Sequence, residues 1–292
     1  MELYHITNPH HDKMRVMSQK PSILNAEKIN AHCVTLSPSL AIEVVAQTGS
    51  TNADLIARAA TLSKPTLLVA VTQTAGRGRA GRSWLSASGS SLTFSLAWPF
   101  PLSSQALPGL SLAVGVALAE ALGSMGVAVQ LKWPNDVLKD GKKLAGVLIE
   151  TTIETAIEAA IKTAEKKSRQ TWAVIGIGLN LLMPDELEQQ IGRPVADVTW
   201  LAQMDRNQLL ATLINHLVSC LQQFSASGFP VFASSWNALH AYAGQQVCLF
   251  DQNQLIRQGK ALGVDNSGCL LLQDQHGVVW PIMAGDVSLR TN

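Results

Sequence analysis

A loop rich in glycine and arginine, residues 75–84 (AGRGRAGRSW), lies between two stretches that have the pattern of β-strands. Residues 67–71 are continuously apolar, and large apolar side chains alternate with small or polar ones over 92–98, so a sheet is expected to display the loop. Its glycines permit positive φ and close approach to a ligand, while its arginines repel one another until an anion binds. The loop therefore predicts a site for a ligand that carries phosphate.

The spacing Gly76-x-Gly78-x-x-Gly81 also matches the fingerprint of dinucleotide-binding folds. That fingerprint requires a helix that starts at the third glycine and an acidic residue about 20 positions further on. Residues 83–90 are typical of a turn, and residues 97–102 contain no carboxylate. The dinucleotide interpretation is therefore disfavoured, and the remaining alternative for the loop alone is a basic surface loop without a ligand.

Composition excludes several classes of protein. The net charge of +1 and the 15% of charged residues give no overall positive field for nucleic acid, so phosphate recognition must be local. No stretch of about 18 apolar residues and no signal-peptide core is found, which predicts a cytoplasmic protein without a membrane anchor. The cysteines form no CxxC pair and no metal-ligand spacing with histidine, which predicts reduced thiols and no metal site; they are Cys33, Cys220, Cys248 and Cys269.

Strand and helix patterns alternate as far as residue 243 and give way to short strands after it. Apolar spacing predicts strands at 42–46, 129–133 and 172–182, and helices at 108–125, 153–170, 207–224 (capped by Asp205) and 232–242. Five short β runs with turns at 265–268 and 276–277 then predict a small antiparallel barrel. The fold class is α+β, with an arm at 1–41 that holds one short helix at 23–29, a unit at 42–243 and a barrel at 244–292.

Polar side chains cluster at three places where predicted strands end. Ser50, Thr51 and Asn52 follow the first strand, and Thr51 has capping-box spacing to Asp54, so this segment either caps a helix or binds a polar ligand, or does both. Lys132, Asn135, Asp136 and Lys143 fall at the ends of adjacent strands around a hairpin turn at 139–142. Gly176 and Gly178 interrupt a later strand, which indicates either a ligand close to the backbone or tight packing.

Taken in order, these segments resemble the biotin protein ligases over residues 42–292. The motifs that carry the resemblance are Ser50-Thr51-Asn52, Gly76-Arg77-Gly78-Arg79-Ala80-Gly81-Arg82, Lys132-Trp133-Pro134-Asn135-Asp136, Lys143-Leu144-Ala145-Gly146 and Gly176-Ile177-Gly178-Leu179-Asn180, with Ser288-Leu289-Arg290 in the barrel. The resemblance implies a mixed-sheet biotin/lipoate ligase catalytic domain followed by an SH3-like barrel. It also implies that the protein couples biotin to ATP, giving biotinyl-5'-AMP, and then transfers biotin to a lysine of a biotin carboxyl carrier domain.

The resemblance assigns roles to individual residues. Lys143, Arg79 and Asp136 are implied as catalytic, with Lys143 near biotin's carboxylate and Asp136 as a general base for the carrier lysine. The uncharged ureido ring of biotin needs donors and acceptors, and each one left unmet in a buried site costs about 1 to 3 kcal/mol. The implied biotin set is Ser50, Thr51, Asn52, Gln73, Gly76, Arg77, Gly78, Arg79, Lys143 and Gly146, and the implied nucleotide set is Arg82, Trp84, Lys132, Asn135, Asn180 and Arg290.

The resemblance also bears on cofactors and partners. It implies ATP with Mg²⁺, biotin as substrate, a carboxylase carrier domain as acceptor, and compatibility with a homodimer. The 41 residues of the arm are too short for the winged helix of bifunctional members, so no DNA binding is expected, and the helix at 153–167 is longer than the usual connection. Two competing functions are a lipoate or octanoate ligase, whose ligand lacks the ureido ring, and a DNA-binding biotin sensor.

Overall fold

A computed structural model describes residues 23–34, 40–101, 103–153, 171–251, 254–284 and 287–291. Within these ranges the chain forms the helices α1 (Ala26–His32), α2 (Thr51–Arg58), α3 (Leu110–Ser124), α4 (Asp185–Ile191), α5 (Arg206–Ser227) and α6 (Pro230–Ala238). The predicted helix at 153–170 falls outside the described residues from position 154 onwards, as does the arm before residue 23. In the described part of the chain, no helix is long and apolar enough to cross a membrane.

Seven strands form the larger sheet, in the order β1-β2-β3-β7-β6-β5-β4. Only the β1–β2 pair is parallel among the six pairings, so the sheet is mixed, as expected. The strands are β1 (Ala41–Thr48), β2 (Thr66–Gln73), β3 (Ser91–Phe100), β4 (Gln130–Lys132), β5 (Asp136–Lys139), β6 (Lys142–Ile153) and β7 (Thr171–Asn180).

The two faces of this sheet pack against different groups, as the residues of strand β7 show. Successive side chains of a strand point to opposite faces. Ile175 and Ile177 belong to the large apolar core that also contains α3 and α5, whereas Val174 belongs to the smaller core under α2. Gly176 and Gly178 lie on the same face as Val174, and the side chain of Asn52, at the start of α2, lies over Gly176. That face therefore has a floor of minimal side chains, on which other groups can lie close to the backbone.

Five antiparallel strands form the second sheet, in the order β11-β10-β9-β8-β12. Its predicted turns are confirmed, with φ of +79° at Gly268 and +82° at Gly277. The indole nitrogen of Trp133 donates a hydrogen bond to the carbonyl of Gly268 at 3.2 Å, which joins this sheet to the larger unit. The strands are β8 (Gln246–Asp251), β9 (Gln254–Val264), β10 (Leu270–Gln273), β11 (Val279–Ile282) and β12 (Val287–Thr291).

Helix boundaries differ from the predicted ones where a cap or a pairing decides them. Helix α1 begins at Ala26 rather than Ile23, because the side chain of Asn25 accepts a bond from the backbone nitrogen of Lys28. Helix α6 begins at Pro230 and ends at Ala238, earlier than predicted. It ends there because the next residues hydrogen-bond along the edge of β4 through the backbone of Leu131. The predicted cap of α5 by Asp205 is confirmed.

At the start of α2, the cap is one residue earlier than the capping-box spacing indicated. The hydroxyl of Ser50, rather than that of Thr51, accepts a bond from the backbone nitrogen of Ala53. Asp54 instead accepts a bond of 2.5 Å from the hydroxyl of Thr48 at the end of β1. The side chain of Thr51 is therefore available for other contacts.

Candidate active site

Residues 75–84 extend over the α2 face of the larger sheet and cover a cleft that is partly open to solvent. Most of the residues named from the sequence line it. They are Ser50, Thr51, Asn52, Gln73, Arg77, Gly78, Arg79, Arg82, Trp84, Asn135, Asp136, Lys143 and Gly146. Gly76 lines a neighbouring groove that shares Gly78 and Arg79 with the cleft, and Asn180 lines an adjoining cavity that shares Trp84 with it.

The loop is a tight turn that its own backbone holds together. The nitrogen of Gly78 donates to the carbonyl of Arg82 at 2.6 Å, and the nitrogen of Trp84 donates to the carbonyl of Gly76 at 2.9 Å. A Cβ atom at Gly76 would lie 2.5 Å from the carbonyl oxygen of Trp84, so no larger residue fits there. Gly81 supplies a φ of +69° at the tip. The glycines thus shape the loop that carries the arginines.

The strand glycines accommodate side chains of the protein itself. A Cβ at Gly178 would lie 2.3 Å from the indole of Trp84, and one at Gly176 would lie 2.3 Å from Oδ1 of Asn52. Gly178 pairs with Gly146 across β6 and β7, so the indole lies against two adjacent glycines. The strand glycines therefore allow Trp84 and Asn52 to lie close to the backbone inside the cleft.

One end of the cleft is a network of uncharged polar groups around Thr51 and Asn52. Oε1 of Gln73 accepts bonds from the backbone nitrogen and the hydroxyl of Thr51, at 2.8 and 3.1 Å. The hydroxyl of Ser95 lies 2.7 Å from that of Thr51 and donates to Oδ1 of Asn52 at 2.6 Å. Sequence reasoning missed Ser95, which is fully buried; its only signal was a hydroxyl between Phe94 and Leu96 in an apolar strand.

The other end of the cleft contains charged groups. Nζ of Lys143 lies 2.5 Å from Oδ1 of Asp136. Burial would raise the pKa of Asp136, but the charge and hydrogen bond of Lys143 outweigh it and hold that pKa below its usual value. Burial lowers the pKa of Lys132, which pairs with Asp136 in the β4–β5 register. Arg193 also lines this end and was missed, because nothing in its local sequence marked it.

The amides expected to bind nucleotide also hold the site together. Asn135 accepts a bond from Arg79 at 3.1 Å and donates to the carbonyl of Val147 at 2.7 Å. Asn180, which is 3% exposed, donates to the carbonyls of Lys143 and Ala196. These bonds connect the loop, β6 and the segment that follows α4.

Arg290 and Lys132 lie beside the cleft rather than in its wall. The guanidinium of Arg290 lies 4.7 Å from the ring centre of Phe250 on β8, and its charge contributes to lowering the pKa of Lys132. Lys132 also lies 5.9 Å from the ring centre of Tyr242. The second sheet therefore contributes positive charge at the charged end of the cleft.

The donor set suits a magnesium ion that arrives with its nucleotide. Among the described residues no cluster of three or more His, Cys, Asp and Glu side chains could hold a metal ion by itself. Mg²⁺ is usually bound by one or two carboxylates together with substrate phosphates and water. The cleft has oxygen donors of this kind at its charged end, the carboxylate of Asp136 and the amide oxygen of Asn135, which contact Lys143 and Arg79 in the structure.

Two family models match the chain: the Biotin/lipoate A/B protein ligase family over residues 43–164 and the Biotin protein ligase C terminal domain over residues 242–290. The Bifunctional ligase/repressor BirA of Escherichia coli is 34% identical over 249 residues, which cover 83% of this chain and 72% of that protein. The Biotin--[acetyl-CoA-carboxylase] ligase of Mycobacterium tuberculosis is 34% identical over 254 residues, which cover 84% of this chain and 88% of that protein.

Solved structures agree with these matches. The biotin protein ligase from Aquifex aeolicus, solved in complex with biotin and ATP, superimposes with a TM-score of 0.68 at 28% identity. The superposition covers 86% of this chain and 99% of that one. The resemblance of the sequence motifs is thus confirmed over both sheets, and the chain belongs to the biotin protein ligase family.

Proposed function

We propose that the cleft under residues 75–84 joins biotin to ATP and then delivers the biotinyl group to a carrier lysine. The chain is a biotin protein ligase, and the proposal concerns which of its residues perform each step. The observation that carries it is the division of one cleft into an uncharged polar end and a cationic end. Biotin has the same division, with a neutral ureido ring at one end and a carboxylate at the other.

At the polar end, the ureido ring meets the network around Thr51 and Asn52. A ring with both donors and acceptors can bond to the hydroxyl of Ser50 and to the amides of Asn52 and Gln73, which line the cleft. The backbone of the loop, at Gly76 and Gly78, closes over the ligand. A ligand without these groups would leave buried polar atoms unpaired, at about 1 to 3 kcal/mol for each.

At the cationic end, Lys143 binds biotin's carboxylate and the α-phosphate of ATP. The carboxylate oxygen attacks the α-phosphorus, the bond to the β-phosphate oxygen breaks, and pyrophosphate leaves with that electron pair. Lys143 offsets the negative charge that concentrates between the two anions. To do so, it exchanges its partner Asp136 for the ligand, because the two side chains form an ion pair in the structure.

Arginines and amides hold the nucleotide. Arg79, already bonded to Asn135, is suited to hold the adenylate, and Trp84 offers an aromatic surface beside Asn180. Arg82, Lys132 and Arg290 add positive charge around the phosphates, and Asp136 with Asn135 would hold Mg²⁺, which offsets phosphate charge when bound. Closure of the loop keeps water away from the mixed anhydride, which water would hydrolyse.

In the second step the neutral amine of a carrier lysine attacks the acyl carbon, and AMP leaves. The amine loses a proton, and Asp136 is the nearby base we assign to accept it. While Lys143 is its partner, the lowered pKa of Asp136 makes it a weak base. The assignment therefore requires Lys143 to have turned towards the adenylate before the proton moves.

The remaining sequence predictions stand as parts of the same proposal. The acceptor is a carboxylase carrier domain, residues 42–243 are the catalytic unit, and residues 244–292 are its barrel. The arm at 1–41 is proposed not to bind DNA, and pairing into a homodimer and a cytoplasmic location are proposed with it. A gel shift with DNA upstream of the gene, with and without biotinyl-5'-AMP, tests the repressor alternative; a sequence-specific, salt-sensitive shift would overturn this view.

The function is tested by incubating the purified protein with Mg²⁺-ATP and either biotin or lipoate. Pyrophosphate release and the mass of the acyl-adenylate are followed, with a sample lacking both acids as the control. We expect an adenylate from biotin alone, because the polar end of the cleft matches a ureido ring. An adenylate from lipoate alone would transfer the assignment to the lipoate ligases.

A further inference from the structure

Glu150 connects the two parts of the cleft although it does not line it. Its Oε2 accepts a bond from Nδ2 of Asn52 at 2.9 Å and a charged bond from Nη2 of Arg77 at 2.6 Å. Asn52 and Arg77 both line the cleft, whereas Glu150 lines a neighbouring groove, which Arg77 also lines. A single carboxylate oxygen thus contacts one residue from the polar end and one from the arginine loop.

The strand places Glu150 where it can reach both groups. Alternation along β6 puts Gly146, Leu148 and Glu150 on the cleft face, at increasing distance from the Lys143 end. Asn52 also donates to the carbonyl of Leu148 at 3.3 Å and lies over Gly176, which pairs with Leu148. The amide of Asn52 is therefore fixed by three described partners, Ser95, Leu148 and Glu150, and Glu150 also contacts the loop.

Exposure argues against a role in stability for this ion pair. The side chain of Glu150 is 29% exposed and that of Arg77 is 43% exposed. Exposed ion pairs contribute about 0 to 1 kcal/mol to folding, because water screens them. Asn52 is 3% exposed, so its orientation depends on protein partners alone. The ion pair between Glu150 and Arg77 is thus expected to affect the geometry of ligand contacts rather than the stability of the fold.

We propose that Glu150 is a positioning residue for biotin, which holds Asn52 and Arg77 in the arrangement that closes the loop over the ureido end. The inference rests on the proposed function of the cleft. Glu150 touches no substrate in this arrangement and takes no part in the chemistry. Its contribution is to fix the amide orientation of Asn52 and to fasten the first arginine of the loop before biotin arrives.

The test is Glu150→Gln, which keeps the size of the side chain and removes its charge. Adenylation kinetics are measured against biotin and against ATP, with biotin affinity by equilibrium dialysis. We expect the KM and Kd for biotin to rise about five- to fifteenfold, since a charged hydrogen bond becomes a neutral one. The kcat at saturating biotin and the KM for ATP stay within about twofold, since only ground-state positioning is lost.

A matched control is Glu43→Gln, in the pair between Glu43 and Arg58. That pair also joins an arginine to a glutamate, at 2.5 Å, with side chains 37% and 38% exposed. It should leave the KM for biotin unchanged. In an Arg77→Ala or Asn52→Ala background, Glu150→Gln should have a smaller effect than in the wild type, because the partner is already absent.

The outcomes separate this inference from the function on which it rests. An active wild type with an unchanged KM for biotin in Glu150→Gln would overturn the role of Glu150 alone. An equal rise in Glu150→Gln and Glu43→Gln would also overturn it, because the effect would be general. A wild type that forms no biotinyl-adenylate would overturn the proposed function and this inference together.

Discussion

Replacing Gly176 by alanine should disable the polar end of the cleft. The new Cβ would lie 2.3 Å from Oδ1 of Asn52, where ordinary contact begins at 3.4 Å, so the amide must move by about 1 Å. A shift of that size breaks the hydrogen bonds that Asn52 forms with Ser95 at 2.6 Å and with Glu150 at 2.9 Å. The weaker hydrogen bond from Asn52 to the carbonyl of Leu148, at 3.3 Å, breaks as well. At about 1 kcal/mol for each bond, the loss is roughly 2 to 3 kcal/mol.

The same substitution also has a smaller, stabilising effect on folding. Alanine restricts the unfolded chain more than glycine does, which stabilises the folded state by about 0.4 to 1 kcal/mol. The net loss for Gly176→Ala is therefore about 1 to 2.5 kcal/mol of unfolding free energy. Biotin affinity should fall by more than tenfold, because Asn52 is also a proposed ligand contact and each factor of ten corresponds to about 1.4 kcal/mol.

Urea unfolding followed by tryptophan fluorescence measures the first quantity, and a biotin titration measures the second. Gly123→Ala in α3 is the control, since a Cβ there has no atom within 4 Å. It should be as stable as the wild type or more so, with unchanged biotin affinity. If Gly176→Ala unfolds within about 0.5 kcal/mol of the wild type and binds biotin equally well, the position of Asn52 does not depend on a glycine at 176.

Three further predictions concern charged and titrating groups. Lys143→Ala should slow single-turnover adenylation by about 10²- to 10³-fold. Lys142 is the adjacent, exposed residue, and Lys142→Ala should leave the adenylation rate unchanged. Equal adenylation rates in the two variants would remove Lys143 from the mechanism. Arg79→Ala should speed the release of biotinyl-5'-AMP by about ten- to a hundredfold, as a charged contact is lost; stopped-flow release at the wild-type rate would contradict this. Burial lowers the pKa of His240 from 6.5 to about 4, so only the unfolded chain binds its proton between those values. Stability should thus fall as the pH drops through that interval, and the urea midpoint should fall less in His240→Gln.

Local turn and cap chemistry made the outline of the fold predictable. The hairpin at 139–142 is confirmed, with φ of +51° at Asp140 and +72° at Gly141, because short-range rules decide such turns. The amphipathic spacing of α5 and its cap at Asp205 depend on neighbours within one or two helical turns. Boundaries failed where a distant strand intervened, as at the end of α6 beside β4.

The site was predictable in its members but not in their contacts. Lys143 and Asp136 were both named, yet the sequence does not indicate that each neutralises the other, since β5 and β6 must first be paired in register. Ser95 and Glu150 were missed because their bonds to Asn52 join residues 43 and 98 positions apart. No periodicity within one element carries that information, which depends on the order of strands in the sheet.

The hydrogen bond between Trp133 and Gly268 bears on the order in which the protein is made. The two residues are 135 positions apart, and the acceptor is synthesised after the donor. At about 5 to 20 residues per second, the ribosome needs roughly 7 to 27 seconds between them. During that interval the turn beside Lys132 and Asn135 exists without Gly268, the hydrogen-bond acceptor of Trp133. The nascent chain therefore contains the strand glycines and the arginine loop before the residue that supports the cationic end of the cleft has been translated.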